Sequence, residues 1–225
     1  GAATVTDDKE SEFTSVAESE TVKGIHTAQI EEAISKLRGE IQQVPSSVSA
    51  IKVDGQRAYA KVRSGDEVSL AARTVTISRF EVLSEPEIFE EHGHTFVDIE
   101  VVVDCSSGTY IRALARDLGE ELGVGGHLTA LRRTRIGAYS VEQAQSLEGL
   151  VPENLNVLNI SEAAKQQFHV RELSDQDVID LRHGKRLKAN GEGPLPFAGM
   201  DAEGNLVAML TVSGKDVKSL VVFND

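Results

Sequence analysis

The sequence has a single cysteine, no tryptophan and few aromatic residues, which make up 4% of its 225 residues. One cysteine excludes an internal disulfide and favours a reducing, cytoplasmic location. The scarcity of rings argues against a carbohydrate-stacking surface. No apolar run reaches the roughly 20 residues that a membrane helix needs, so we expect no membrane partner. The 40% hydrophobic content still allows a sizeable core.

Positive charge is also scarce, since the formal net charge is −13. This total argues at first against a nucleic-acid partner. Two stretches depart from it, 41–73 and 110–135, and each holds five basic and three acidic residues. Because phosphate affinity depends on local positive charge, these stretches are candidate RNA-binding surfaces. From charge alone, a chance clustering of basic residues in an acidic protein remains the alternative to an RNA-binding surface.

Several common site motifs are missing. The sequence contains no Gly-rich phosphate loop, no G-x-S-x-G nucleophile motif and no paired metal-ligand spacing. His92 and His94 flank Gly93 and are interpreted as turn residues rather than metal ligands. We therefore expect neither a metal nor a cofactor.

Hydrophobic periodicity predicts an α/β (α+β) fold, with a mixed, largely antiparallel sheet core flanked by helices. Thr27 is expected to cap a first helix. Its apolar stripe comprises Ile30, Ala33, Ile34, Leu37 and Ile41. A single strand is predicted to carry Val97, Ile99, Val101 and Val103 on one face. Cys105 closes this strand and is expected to be a buried, unreactive thiol.

The stretch CSSGTYIRALARDLGEEL, from Cys105 to Leu122, joins that strand to an amphipathic helix. Ser106, Ser107 and Thr109 are expected to cap the helix, and Gly108 permits a tight turn. An exposed helix start favours small polar residues and a buried one favours aliphatic residues, and Tyr110 and Arg112 are neither. They could hold a planar ring together with a carboxylate or phosphate, or they could simply cover the core and pair with a surface acid. The residues alone leave these two interpretations equally open. A further short helix is predicted around Leu128 and Leu131.

The segment CSSGTYIRALARDLGEELGVGGHLTALRRTRIGAYSVEQA resembles the core motif of bacterial tRNA pseudouridine synthases of the TruB type. LRGEIQQVPSSVSAIKVDGQRAYAKVRSGDEVSLAARTVTI is similar to the preceding part of that family, including its RNA-contacting thumb. The resemblance runs from about residue 28 to residue 147 in matching order. From about residue 165 the chain resembles a small PUA-like RNA-binding module.

The resemblance implies an isomerase that converts uridine 55 in the T-loop of tRNA to pseudouridine. The base would be flipped out, detached at N1, turned and rejoined through C5. It also implies a catalytic domain over 1–163, with a thumb at about 44–73, and a PUA-like β-rich RNA-binding domain over 164–225. The expected partner is tRNA, the default oligomeric state is a monomer, and no cofactor is expected.

Site residues follow from the resemblance position by position. Tyr110 matches the tyrosine that stacks on the flipped base, and Arg112 matches the arginine that pairs with the catalytic carboxylate. Thr109, Ile111 and Leu131 match the base pocket, although plain core packing of Leu131 stays open. The basic stretches supply the expected RNA contacts, namely Lys52, Arg57, Tyr59, Lys61, Arg63, Arg73, Arg132, Arg133 and Arg135.

The family's nucleophilic aspartate belongs to a motif of the form G-x-L-D-x-x-A-x-G, which this sequence does not contain. Asp7 and Asp8 lie outside such a motif. We therefore expect the N-terminal part with the nucleophile to be missing and this chain alone to be inactive. Two alternatives remain: a non-catalytic RNA-binding or tRNA-folding module, and a relative acting with guide RNAs, which the absence of basic tails disfavours.

Overall fold

The computed structural model describes residues 1–46, 52–53, 56–57 and 70–223. The chain divides into two compact units, Gly1–Leu131 (unit 1) and Arg132–Asp225 (unit 2). Both combine helices with largely antiparallel sheets, which confirms the predicted fold class. Among the described residues, no helix has the length and apolar character needed to span a bilayer. The domain boundary predicted between residues 163 and 164 stays a prediction.

Unit 1 is built around an antiparallel three-stranded sheet of order β3-β6-β9, with two hairpins and a further strand pair beside it. Its strands are β1 Ala2–Thr4, β2 Phe13–Val16, β3 Gly39–Gln43, β4 Lys52–Val53, β5 Gln56–Arg57, β6 Arg73–Val82, β7 Glu87–Glu91, β8 His94–Asp98 and β9 Val101–Cys105. Its described helices are α1 Ser19–Lys23, α2 Thr27–Lys36 and α3 Ile111–Glu121.

Helices α2 and α3 provide apolar faces that pack with β6 to form the core of unit 1. Burying these aliphatic side chains removes them from water, which is the main force holding helices to a sheet. The fully buried members include Ile30, Ile34, Ile77, Phe80 and Leu114. This packing fixes the start of α3 against the ends of β3 and β1.

The loop after α3 returns tightly against the helix. A Cβ on Gly119 would lie 2.1 Å from backbone atoms of both Gly125 and Gly126, so only a glycine fits this crossing. Gly123 follows the helix with φ of 72°, a conformation that glycine adopts without strain. The returning loop then reaches the β1–β2 connection, where Asp8 and Leu128 form a parallel bridge.

Unit 2 contains a five-stranded sheet of order β12-β14-β15-β16-β13 and a separate hairpin, β10–β11. The only parallel pair in its described sheet joins β12 and β14. Its strands are β10 Arg135–Ile136, β11 Tyr139–Ser140, β12 Val170–Glu172, β13 Leu187–Lys188, β14 Phe197–Met200, β15 Leu206–Ser213 and β16 Asp216–Val222. Helices α4 Ile160–Gln167 and α5 Asp175–Arg182 accompany two short 3₁₀ turns, Val141–Gln143 and Pro152–Asn154.

Several local predictions were wrong. Cys105 is exposed rather than buried, because β9 ends at the edge of the core. The capping residue of α2 is His26, and Ile41 belongs to β3 rather than to the helical stripe. The predicted strand over 97–103 is two strands, since β8 pairs with β7 while β9 pairs with β6. No helix forms at Leu128 or Leu131, and Leu128 instead bridges to Asp8 of the β1–β2 connection.

Candidate functional site

Two arginines on one face of α3 pair with two consecutive aspartates. Nη2 of Arg112 lies 2.7 Å from Oδ2 of Asp8, and Nη1 of Arg116 lies 3.4 Å from Oδ2 of Asp7. Residues four apart on a helix project from the same side, so α3 presents both guanidinium groups to one short segment. The helix and the β1–β2 connection are therefore joined by two adjacent ion pairs.

The β1–β2 connection holds both carboxylates in place through its own backbone. Asp7 adopts φ of 56°, a left-handed conformation that Asp tolerates better than most residues. The hydroxyl of Thr4 accepts from the Asp8 amide at 2.9 Å and donates to the Asp8 carbonyl at 3.0 Å. On the other side, the Leu128 amide donates to the Asp7 carbonyl at 3.0 Å. These backbone contacts position Asp8 independently of its ion pair with Arg112.

The two ion pairs differ in exposure. The Arg116 side chain is 20% exposed, and its Nη2 also donates to the carbonyl of Val44 at 2.8 Å. Burial raises the pKa of Asp7 above its ordinary value, and the nearby Arg116 opposes this without cancelling it. The Arg112 side chain is 40% exposed, with Asp8 at 18%. Arg116 and Asp7 form the inner pair, whereas Arg112 faces solvent and can reach a ligand.

Tyr110 is the capping residue of α3, and no side chain caps the helix there. The predicted caps were wrong, because Thr109 donates instead to the Ser106 carbonyl and the hydroxyl of Ser106 accepts from Thr76. The backbone of Tyr110 is bound by Gln43, whose amide accepts from its N–H at 2.8 Å and donates to its carbonyl at 3.1 Å. Gly108 has φ of 87°, which confirms the predicted tight turn.

The start of α3 therefore carries a half-buried tyrosine, Tyr110, and two residues further on the solvent-facing guanidinium of Arg112. Asp8 engages one terminal nitrogen of Arg112, and a guanidinium has five N–H donors in a planar fork. A second carboxylate or a phosphate can share that fork, while the ring offers a face to a planar base. Of the described residues, no group of His, Cys, Asp and Glu is arranged to hold a metal ion.

The three predicted base-pocket residues lie in different surroundings. Thr109 and Ile111 flank Tyr110 and are half-buried, with Ile111 packed against the core of unit 1. Leu131 is 60% exposed, so the alternative that it simply packs in the core is wrong. The role of all three in binding a base stays a prediction.

The predicted RNA-binding residues are spread over both units. Arg73 is exposed at the start of β6. Arg132, Arg133 and Arg135 are exposed residues of unit 2, at or just before the β10–β11 hairpin. Lys52 and Arg57 belong to β4 and β5, but their side chains lie outside the described part of the chain, as do Tyr59, Lys61 and Arg63. All of these contacts stay predictions.

Sequence reasoning missed Asp8 and Gln43. Asp8 was set aside because it lies outside the expected nucleophile motif, yet it is the residue that pairs with Arg112. A partial signal was present, since arginines at 112 and 116 share a helix face and can both pair with one short acidic segment. Gln43 gave no such signal, because a glutamine at the end of a strand is ordinary until its partner across the fold is known.

Three family models match the chain in succession. The TruB family pseudouridylate synthase N-terminal domain matches residues 1–111. The tRNA pseudouridylate synthase B C-terminal domain matches residues 112–164, and the tRNA pseudouridine synthase II C-terminal model matches residues 168–224. The first junction falls at the start of α3.

The chain is also similar to curated proteins. It is 49% identical over 231 residues to the tRNA pseudouridine synthase B of Arthrobacter sp. (strain FB24), covering 99% of this chain and 73% of that protein. It is 50% identical over 226 residues to the protein of the same name from Leifsonia xyli, with the same two coverages.

A solved structure shares the fold. It is a chain from an H/ACA RNP bound to a substrate RNA containing 2′-deoxyuridine, with a TM-score of 0.61 and 22% identity. The match covers 89% of this chain and 62% of that chain, less than two thirds of its length. At this identity the likeness shows the fold alone. The family models and the curated relatives show that the chain belongs to the TruB family of pseudouridylate synthases.

Proposed function

We propose that this chain is the larger part of an enzyme that isomerises a uridine of tRNA to pseudouridine, at position 55 of the T-loop. The observation that carries the proposal is the solvent-facing Arg112, oriented by Asp8 and two residues from Tyr110 at the start of α3. The names of the curated relatives support the substrate class. The protein is expected to act as a monomer in the cytoplasm.

Tyr110 is assigned to the flipped base. An aromatic ring stacks on any base, and such a contact contributes about 1–3 kcal/mol. This offsets part of the few kcal/mol that extruding a base from its stack costs. The backbone of Tyr110 is fixed by Gln43, so little ordering is left for the moment of binding. Thr109, Ile111 and Leu131 would complete the pocket.

Arg112 is assigned to the catalytic carboxylate. That carboxylate is expected from the family's L-D-x-x-A-x-G segment, which this chain lacks. A charge-assisted hydrogen bond from the guanidinium would keep the carboxylate ionised and directed at the sugar–base bond. Asp8 already engages one terminal nitrogen of the fork, which limits rotation of the side chain. This chain alone is therefore expected to be inactive.

The reaction balances without a cofactor. The bond from the ribose carbon to N1 breaks, the base turns within the pocket, and a new bond joins the same ribose carbon to C5. The proton on C5 leaves and N1 gains a proton. The site must therefore hold the detached base, and a stacked aromatic ring suits this requirement.

Recognition of tRNA is assigned to the basic stretches. The thumb at about 44–73 and the arginines at 132, 133 and 135 would contact phosphates. Unit 2 would contribute a PUA-like RNA-binding surface over 164–225. A protein that only binds or folds tRNA would share these contacts but would not need Arg112 to face a carboxylate.

The test is tritium release from tRNA carrying uridine labelled at C5. A protein extended by its natural upstream segment should release tritium from position 55, and the chain without it should bind tRNA without release. Tyr110→Phe should retain most of the turnover, because the ring remains, whereas Tyr110→Ala should lose most of it and leave a small, measurable remainder. Binding without release by the extended protein would defeat the proposal and favour the non-catalytic module.

A further inference from the structure

Gln43 places a buried amide against the backbone of Tyr110. It is the last residue of β3, and it is 1% exposed. Its Oε1 accepts from the Tyr110 N–H at 2.8 Å, and its Nε2 donates to the Tyr110 carbonyl at 3.1 Å. A buried amide left without partners is costly, so both contacts are strongly favoured in the folded protein.

This clamp acts on the residue that directs the candidate base-stacking ring. Tyr110 has φ of −104° and ψ of 106°, and its carbonyl also accepts from Leu114 in the first turn of α3. Holding both the N–H and the carbonyl of one residue fixes both of its backbone dihedrals. Gln43 and the first turn of α3 together therefore restrain the direction of its Cα–Cβ bond, and hence the position from which the ring projects.

Gln43 also stands where the chain leaves the sheet toward the predicted thumb. Its partner on the neighbouring strand β6 is Arg73, so residues 44–72 connect the end of β3 to the start of β6. The next residues of this segment bind the same corner. The Val44 carbonyl accepts from Arg116 at 2.8 Å, and the Ser46 hydroxyl donates to the Thr6 carbonyl at 3.3 Å.

We propose that Gln43 is a positioning residue for uridine isomerisation, which acts by fixing the backbone of Tyr110 at the root of the thumb. This inference rests on the proposed function. On this proposal, the Gln43 amide is needed to place the Tyr110 ring against the detached base. This role is separate from any contribution of Gln43 to the stability of β3. Misplacement of a reacting group by about 1 Å can cost on the order of 100-fold in rate.

The first test compares two neighbouring glutamines in the extended protein. Gln43→Met keeps the volume and removes both hydrogen bonds, and it should lower kcat about 10- to 100-fold with little change in tRNA affinity. Gln42→Met is the matched control, because Gln42 is exposed and its amide donates to the Thr74 hydroxyl at 2.8 Å rather than to the backbone of Tyr110. The control should keep wild-type kcat. Equal effects of the two substitutions would overturn the proposal.

The second test asks whether the effect passes through the ring. In a Tyr110→Ala background there is no ring to place, so Gln43→Met should cost at most about 3-fold more, because the two effects share one cause. A general loss of stability would multiply the loss equally in both backgrounds, and that result would also overturn the proposal.

Gln43→Glu provides a third test, which can be carried out even if the Gln43→Met variant folds poorly. A neutral glutamic acid can accept from the Tyr110 N–H and donate to its carbonyl, as the amide does, whereas a carboxylate cannot donate. Burial favours the neutral form. The ratio of Gln43→Glu to wild-type kcat should therefore rise as pH falls, and taking the ratio removes pH effects that both proteins share. A ratio that is constant with pH would contradict the inference, whereas an inactive wild type would instead defeat the proposed function.

Discussion

The guanidinium of Arg112 contacts the carboxylate of Asp8 at 2.7 Å, although α2 and the whole β3-β6-β9 sheet separate the two residues in sequence. The pair lies beside the inner contact between Arg116 and Asp7. One helix face and one short connection thus supply a half-buried ion pair and a solvent-facing one. The outer pair leaves Arg112 oriented yet accessible.

Replacing Arg112 by Lys should affect turnover far more than binding. Lysine keeps the charge but loses the planar fork that can hold Asp8 and a second carboxylate together. We expect kcat of the extended protein to fall by about 100- to 1000-fold, as when one preorganised donor is removed from an active site. Single-turnover tritium release and filter binding measure the two effects. Similar losses in both would show that Arg112 serves RNA binding instead.

Asp8→Asn should lower turnover by loosening Arg112. Asparagine keeps the size of the side chain and the backbone contacts with Thr4, but it removes the charge that holds the guanidinium. A reduction in kcat of about 10- to 100-fold is expected from the lost orientation. Glu10→Gln is the matched control, because Glu10 is an exposed acid of the same connection. If both substitutions have the same small effect, Asp8 has no positioning role.

Asp7→Asn should change how stability depends on pH. The pKa of Asp7 is raised above its ordinary value of 3.8, chiefly by burial, so the folded state binds its proton more tightly than the unfolded state does. The free energy of unfolding of the wild type, minus that of Asp7→Asn, should therefore rise as pH falls toward 3.8. At neutral pH the same difference should be smaller. Urea unfolding at several pH values tests this. A difference that grows with rising pH would mean that Arg116 outweighs burial.

Gly119→Ala should destabilise unit 1. The added Cβ would lie 2.1 Å from the backbone of Gly125 and Gly126, so helix and loop must separate. We expect a loss of about 1–3 kcal/mol or more, as for other forced overpacking. Gly24→Ala is the control, because its φ is −79° and the nearest atoms are 3.4 Å away. Equal melting temperatures of the two variants would contradict the close approach.

Joint replacement of Arg132, Arg133 and Arg135 by Gln should weaken tRNA binding and its salt dependence. Each lost phosphate contact should reduce the log–log slope of affinity against salt by about 1. Lys165→Gln is the control, because this exposed lysine is paired with Glu162 at 3.1 Å. An unchanged slope in the triple variant would remove these arginines from the RNA-binding surface.

Periodic segments of the sequence were predicted well. The amphipathic helix α3, the turn at Gly93 and the tight turn at Gly108 all follow from local spacing and turn residues. The errors fall where distant contacts decide the outcome. Cys105 closes an apolar strand, but the core of unit 1 does not extend to it, and its thiol is exposed.

The sequence by itself determined the family resemblance, the candidate roles of Tyr110 and Arg112, and the two positively charged stretches, because each depends on residue types at short spacing. Only the tertiary structure decided that Asp8 is the partner of Arg112 and that Gln43 binds the backbone of Tyr110. Those contacts join segments that are far apart in the chain. Their geometry comes from the packing of α3 against the sheet and from the tight return of the loop at Gly119, which no local pattern encodes.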